Sequence, residues 1–245
     1  MKTTFEMKSG KMRVTDPCYN KKTWCSGVIE NVLSGVWFAE NIILDNEQTN
    51  GWGNRNGELI VWHSDYSPDS IIELTSIDVG VDSGQAGFFD DAEYPTGDTG
   101  EYGNTDTFYG KVCEGTAGQP KQQKRKIYGE ADIKLLSEKI DADTLNSLSN
   151  LEITETVYDY LSIANVGFGV ACHSGYGDGG YNCFVKRNSD GKVVAAKIVF
   201  IEDEPQDDED DMSLEDAVNN IIEGINNNTI SEEQLDTVKN FILKN

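Results

Sequence analysis

The chain has 245 residues, 38% of them hydrophobic and 26% charged, which allows a sizeable core and excludes wholesale disorder. Acidic side chains outnumber basic ones 43 to 20, a net charge of −23. That balance excludes nucleic-acid backbones and anionic membrane surfaces as direct partners, since both need a Lys/Arg footprint.

The opening MKTTFEMKSGKM has no apolar run long enough for a signal-peptide core. The apolar stretch Val193–Ile201 is broken by Lys197 and is far shorter than the roughly 20 residues of a membrane helix. A soluble, cytoplasmic protein with no membrane partner is expected.

In chain order, Val28–Leu33 and Gly35–Leu44 are short runs rich in β-branched and aromatic residues, with a Ser-Gly step between them. Gly57–Ser64 (GELIVWHS) follows a Gly- and Asn-rich loop over 49–56. Ser83–Asp90 and Thr107–Cys113 have the same strand-like texture, and the Gly-, Pro- and acid-containing stretch 91–106 reads as a surface loop. The one dense basic cluster, Lys121–Lys126 (KQQKRK), reads as a solvated loop. Glu130–Leu148 places Ile133, Leu136, Ile140 and Leu145 near one helical face, which predicts a helix inserted at about 130–148. Val166–Cys172, Tyr181–Arg187 and Lys192–Ile201 complete the strands. The last two are joined by Asn188-Ser189-Asp190-Gly191, a hairpin signal because glycine tolerates positive φ.

Eight of the ten residues from Glu202 to Asp211 are acidic, too dense a charge to bury a core, so 202–212 is expected to be a linker. Beyond it, Ser213 and Ser231 are placed to cap helices. Leu214, Val218, Ile221 and Ile225, then Leu235, Val238 and Ile242, fall at helical spacings and predict a helical hairpin over 213–245. Its apolar stripe would dock on its own domain, on a second copy in a homo-oligomer, or on another protein. The fold expected is α+β and mainly β: an antiparallel, sandwich-like domain over 1–201 with a helical insertion, then the linker and the hairpin.

Five cysteines (Cys18, Cys25, Cys113, Cys172 and Cys183) form no C-x-x-C pair, and His63 and His173 are the only histidines. This fits neither a disulfide framework nor a zinc motif, so buried thiols in a reducing compartment are expected, with no metal and no cofactor. Cys172 and His173 are neighbours on a predicted strand and point to opposite faces, which prevents a thiolate–imidazolium couple.

Four segments combine Asp, Gly, Cys and aromatics: VTDPCYNKKTWC (14–25), NGWGNR (50–55), DVGVDSGQAGFFD (78–90) and SGYGDGGY (174–181). From them Asp16, Cys18, Tyr19, Trp24, Asp82, Ser83, Gln85, Asp178 and Tyr181 are the candidate ligand-binding residues. Glycines let a ligand approach main-chain N–H groups, so GYGDGGY can cradle an anion or a nucleotide-sized molecule, with Asp178 and Tyr181 in contact. The competing reading is a tight β-connection capped by Asp178. Lacking Lys, Arg and a following helix, the segment is neither a P-loop nor a dinucleotide fingerprint. Asp78 and Asp82 fall on one side of a predicted strand, where two carboxylates can act as an acid–base pair or simply satisfy loop amides. Trp24, Trp37, Trp52 and Trp62 are expected chiefly as core residues.

TDPCY…WC, the GVW step at Gly35–Trp37, DSGQAGFFD and GYGDGGY, taken in that order, resemble a family of uncharacterised bacterial and bacteriophage proteins known as a domain of unknown function. The resemblance covers about 10–113 and 166–201, leaving 114–165 as an insertion. It implies a mostly β, phage-associated protein of the bacterial cytoplasm and carries no activity. The function expected is a non-enzymatic binding module for a small ligand or a host protein. The alternatives are a hydrolase using Asp or Cys residues of the Gly-rich loops and a structural component of a phage particle.

Overall fold

The computed structural model describes residues 2–137 and 139–202. The linker beyond Glu202 and the predicted hairpin, with its apolar residues from Leu214 to Ile242, lie outside the described residues. The elements are β1 (Lys2–Met7), β2 (Met12–Thr15), β3 (Gly27–Ile29), β4 (Gly35–Leu44), β5 (Arg55–His63), β6 (Glu73–Val81), β7 (Gln85–Asp90) and α1 (Phe108–Ala117). They continue with β8 (Lys121–Lys126), α2 (Glu130–Ser137), α3 (Ala142–Ser149), β9 (Glu152–Val157), β10 (Ala164–Asn165), β11 (Gly169–His173), β12 (Gly179–Arg187) and β13 (Val193–Val199).

Two antiparallel sheets account for most of the strands. One has the order β1-β4-β5-β13-β12-β6, the other β10-β11-β7-β2-β3. They pack face to face because alternate residues on both are apolar. Met7, Trp37, Leu59, Val61, Val79 and Ile198 from the first meet Met12, Val14, Phe88, Val170 and Cys172 from the second in a single buried core. The protein is thus a mainly-β α+β fold. No helix among the described residues is long and apolar enough to cross a membrane.

Both lateral openings of the sandwich are stitched. On one side the Gly80 N–H of β6 donates to the Cys25 carbonyl at 3.2 Å. A side chain at Gly80 would meet Cys25 Cβ at 2.7 Å, so only glycine permits that approach. On the other side the Glu6 amide bonds the Gly167 carbonyl at 3.0 Å, and Asn165 Nδ2 donates to the Thr4 carbonyl at 2.7 Å.

The outer face of the second sheet is also covered, which is why every residue of β7 is buried. There Phe89, Tyr94 and Val112 pack with Phe108, whose ring lies 5.1 Å from Tyr94 and 5.5 Å from Phe89. The cover is α1 and the 91–107 loop.

Three local expectations are corrected. Thr107–Cys113, expected as a strand, opens α1: the Thr107 hydroxyl accepts the Gly110 N–H at 3.1 Å as an N-cap, and Phe108 packs on the sheet. KQQKRK is strand β8, paired along its whole length with β9 (EITETV), and all six of its residues are exposed. The helix expected over 130–148 is two helices, α2 and α3. The Asp141 carboxylate caps the second by accepting the Thr144 N–H at 2.9 Å, which restarts the chain there. The Asn188–Gly191 hairpin stands as expected, with Gly191 at φ 75° and the Asn188 amide bonded to the Lys192 carbonyl at 2.9 Å.

Candidate ligand site at one end of the sandwich

Strand direction gathers the motif segments. The end of β4 and start of β5, the end of β6 and start of β7, and the end of β11 and start of β12 all lie at the same end of the sandwich, as their registers require. The loop before Arg55, the Asp82–Gly84 crossover and the Ser174–Asp178 crossover therefore meet there. The loop leaving β2 at Asp16 joins them, because Thr15 pairs with Gly87 near the start of β7.

Asp16 forms a latch. It is fully buried, and its Oδ1 accepts the Cys18 N–H at 2.8 Å and the Ser83 hydroxyl at 2.7 Å. Its Oδ2 accepts the Asp82 and Ser83 amides at 2.9 and 2.7 Å. With four donors at its oxygens, this carboxylate is built into the fold and fixes the β6–β7 crossover. Tyr94 donates its hydroxyl to the Tyr19 carbonyl at 2.7 Å and Thr99 donates to the Cys18 carbonyl at 2.8 Å, closing the 91–107 loop over the TDPCY turn. Burial, reinforced by the Asp16 charge, pushes the Cys18 thiol well above its usual range. Burial and the neighbouring Asp82 do the same for the Tyr19 phenol. Both groups stay protonated and neutral.

The structure thus brings Asp16, Cys18, Tyr19, Asp82 and Ser83 together, with their polar atoms turned largely on one another. Gln85 is buried under α1, where its Nε2 lies 3.4 Å from Cys113 Sγ and its Oε1 has no hydrogen-bond partner among the described residues. Tyr181 donates its hydroxyl to the carbonyls of Gly177 and Ser174, at 2.6 and 3.0 Å, and so ties down the glycine turn. Asp178 is exposed on that turn, and Trp24 stands in solvent at 89% exposure. Asp82 lies just beyond the end of β6, exposed, while Asp78 sits within the strand. Trp37 and Trp62 are core residues as expected, whereas Trp24 and Trp52 stand exposed on the loops before β3 and β5. Among the described residues no three His, Cys, Asp or Glu side chains converge on a metal position.

Beside the latch lies a hollow of about 250 Å³, lined by Arg55, Asn56, Gly84, Tyr160, His173 and Gly177, with Asn54, Asp159, Gly175 and Tyr176 around it. Asn56 organises its floor. Its Nδ2 donates to the His173 carbonyl at 3.0 Å, joining the first sheet to the second, and its Oδ1 accepts from Asn41 Nδ2 at 2.6 Å. Gly175 (φ 56°) must be glycine, since a Cβ there would lie 2.9 Å from Ile201 and 3.2 Å from the Asn56 carbonyl. Tyr160, at a positive φ of 54°, holds its ring 4.9 Å from the His173 imidazole. Burial lowers the His173 pKa, opposed by its contact with the Gly84 backbone, so the ring is neutral at pH 7.

The exceptional residue is Arg55. Of the four arginines in the chain, Arg13 pairs with Asp91 at 2.7 Å, Arg125 with Glu155 at 3.1 Å and Arg187 with Glu73 at 2.9 Å. Arg55 has no carboxylate partner among the described residues, and its Nε is buried without a hydrogen bond. The one carboxylate lining the hollow, Asp159, is held by Lys121 at 3.2 Å. A guanidinium presents several donors in a planar fork, and leaving it unpaired in a chain of net charge −23 is costly. Arg55, His173 and Tyr160 are not among the ligand contacts expected from the sequence, whose one signal here is the concentration of glycines on the loops that converge.

A larger groove of about 910 Å³ runs along α1, lined in part by Phe108, Phe168, Lys111, Glu93 and Glu114. It mixes both charge signs and contains no residue of the four motif segments.

Residues 77–198 match the family model described as a protein of unknown function (DUF4241). That part of the chain is similar to the DUF4241 proteins. The DUF4241 span takes in the Ser83 crossover, His173 and the glycine turn, and it includes 114–165, which the sequence resemblance had set aside as an insertion. Arg55 and the Asp16 latch lie ahead of it. No curated protein and no solved structure matches the chain.

Proposed function

We propose that the protein is a binding module that captures a small anionic ligand at Arg55. The observation that carries this reading is the unpaired guanidinium in a hollow built by crossover loops. An incoming carboxylate or phosphate oxygen supplies the partner that the other three arginines have within the fold, and charge-assisted bonds to a planar guanidinium are the strong kind. The Asn54 amide adds donors at the rim of the same hollow.

Two features support binding over turnover. The neighbouring acid, Asp16, is saturated by donors, and the Cys18 thiol is held protonated. A nucleophile or general base needs the opposite arrangement, a free lone pair and a pKa near the working pH.

Thermal melting in inorganic phosphate against chloride at matched ionic strength tests the proposal. A ligand that binds only the folded state raises the melting temperature with its concentration. The wild-type protein is expected to show that rise and Arg55→Met to lack it. Equal responses of the two proteins to phosphate would refute the assignment.

A further inference from the structure

We propose that the ligand held at Arg55 also carries a flat aromatic ring, which stacks on Trp52 and Tyr176, and that its class is the nucleoside monophosphates. This rests on the anion-binding reading above and adds the second half of the ligand.

Trp52 is 68% exposed and Tyr176 56% exposed, although they belong to different sheet connections. Their rings meet edge to face, with centroids 6.2 Å apart and planes at 71°. With Thr49, Asn50 and Arg55 they line a second hollow of about 540 Å³, contiguous with the first through Arg55 and Tyr176. The guanidinium therefore stands between a polar, glycine-lined hollow and an aromatic one. That is the layout needed for a molecule with an anionic end and an apolar, planar end.

Trp52 is displayed by a constructed loop. Thr49, itself fully buried, donates its hydroxyl to the Gly53 carbonyl at 2.7 Å. The Gly53 amide donates to Asn46 Oδ1 at 2.9 Å, and the Gly51 amide to the Asn46 carbonyl at 2.8 Å. Asp45 Oδ1 accepts the amides of Glu47 and Gln48 at 2.9 and 3.0 Å. Gly51 and Gly53 both have positive φ, 87° and 79°, so the backbone is committed to this shape around the indole. Large aromatic surface presented to water by an internally bonded loop is surface kept for a partner. Trp24 is the internal contrast: at 89% exposure it has no ring partner among the described residues and lines neither hollow.

Charge sets the rest of the class. One guanidinium in a protein of net charge −23 suits one phosphate group, and polyphosphates or a polynucleotide would meet repulsion from the remaining surface. Stacking on aromatic side chains tolerates any base, because every base has a π-face.

Calorimetric titration of the full-length protein with each ribonucleoside 5′-monophosphate, and with ribose 5-phosphate as the ring-free control, tests the inference. At least one nucleotide is expected to bind roughly 5- to 100-fold more tightly than ribose 5-phosphate, the range that stacking supplies. Trp52→Ala should abolish that advantage and leave ribose 5-phosphate binding in place. Trp52→Phe should keep part of it, and Trp24→Ala all of it. Equal binding of nucleotides and ribose 5-phosphate by the wild type, or an advantage that survives Trp52→Ala, overturns the aromatic half and leaves the anion site standing. Failure of both ligand types to bind overturns the two readings together.

Discussion

Asp16 and Ser83, 67 positions apart, are joined twice: Oδ1 of the carboxylate accepts the serine hydroxyl at 2.7 Å and Oδ2 accepts the serine amide at 2.7 Å. The pair locks the TDPCY turn to the β6–β7 crossover, and Gly84, the next residue, lines the hollow at Arg55. What resembled a ligand-binding carboxylate in the sequence is the clamp that positions the site.

Replacing Asp16 by Ala leaves the Cys18, Asp82 and Ser83 amides without their acceptor in a buried place. Each such group costs about 1–3 kcal/mol. Chemical denaturation of Asp16→Ala should therefore show a loss on the order of 3 kcal/mol or more. Asp178→Ala, at an exposed turn position, should stay within about 0.5 kcal/mol of wild type. Comparable losses for both would show that Asp16 is not the clamp.

Asp90 makes a second clamp at the other end of β7. Burial by itself would raise its pKa, but the Ser9, Lys8 and Ala92 amides that bond its carboxylate outweigh that and lower it. A depressed folded-state pKa gives stability that is present above the ordinary carboxylate value, near 3.8, and lost as pH falls through the folded value. Asp90→Asn should lower the melting temperature at neutral pH, and the gap to wild type should narrow in strong acid. A gap independent of pH would contradict this role.

His173 works in the same direction over a different range. Its folded pKa lies below the ordinary 6.5 because of burial, so the unfolded chain takes up its proton first. Stability falls as pH drops from about 6.5 toward the folded value, then levels off. His173→Gln should flatten that portion of the melting-temperature profile. An unchanged slope would mean that His173 is solvated in the native protein.

Burial raises the thiols of Cys172 and Cys183, the latter to about 12, and neither reaches solvent. Cys18 is held protonated as well. Because the thiolate is the reactive form, a disulfide reagent at pH 8 should leave Cys172 and Cys183 unmodified in the folded protein, and all five cysteines should react after denaturation. Peptide mass mapping of the modified sites reads this directly.

The sandwich was legible where local chemistry and tertiary environment agree. The β12–β13 hairpin announces itself through Asp190-Gly191, and the run of β-branched and aromatic residues in Gly57–Ser64 marks β5. Strand β8 was not legible, because KQQKRK has no apolar face and becomes a strand only by pairing with Glu152–Val157, some thirty positions away. The segment opening α1 looked like a strand because Phe108, Tyr109 and Val112 favour either structure, and its decisive feature is the Thr107 cap. At the site, the glycine-rich loops could be read as a group, but their convergence follows from strand direction. The role of Arg55 depends on which carboxylates it fails to meet, a non-local fact that no motif records.

Anion capture at Arg55 is the core of the proposed function, and the side-chain Nε–H resonance of that residue reports on it. A two-dimensional ¹H–¹⁵N spectrum of the arginine side chains, assigned with Arg55→Lys and recorded as inorganic phosphate is titrated against chloride at constant ionic strength, isolates it from the three paired arginines. The Arg55 signal should shift saturably while those of Arg13, Arg125 and Arg187 hold still. A stationary Arg55 signal, or a uniform drift of all four, would contradict the account.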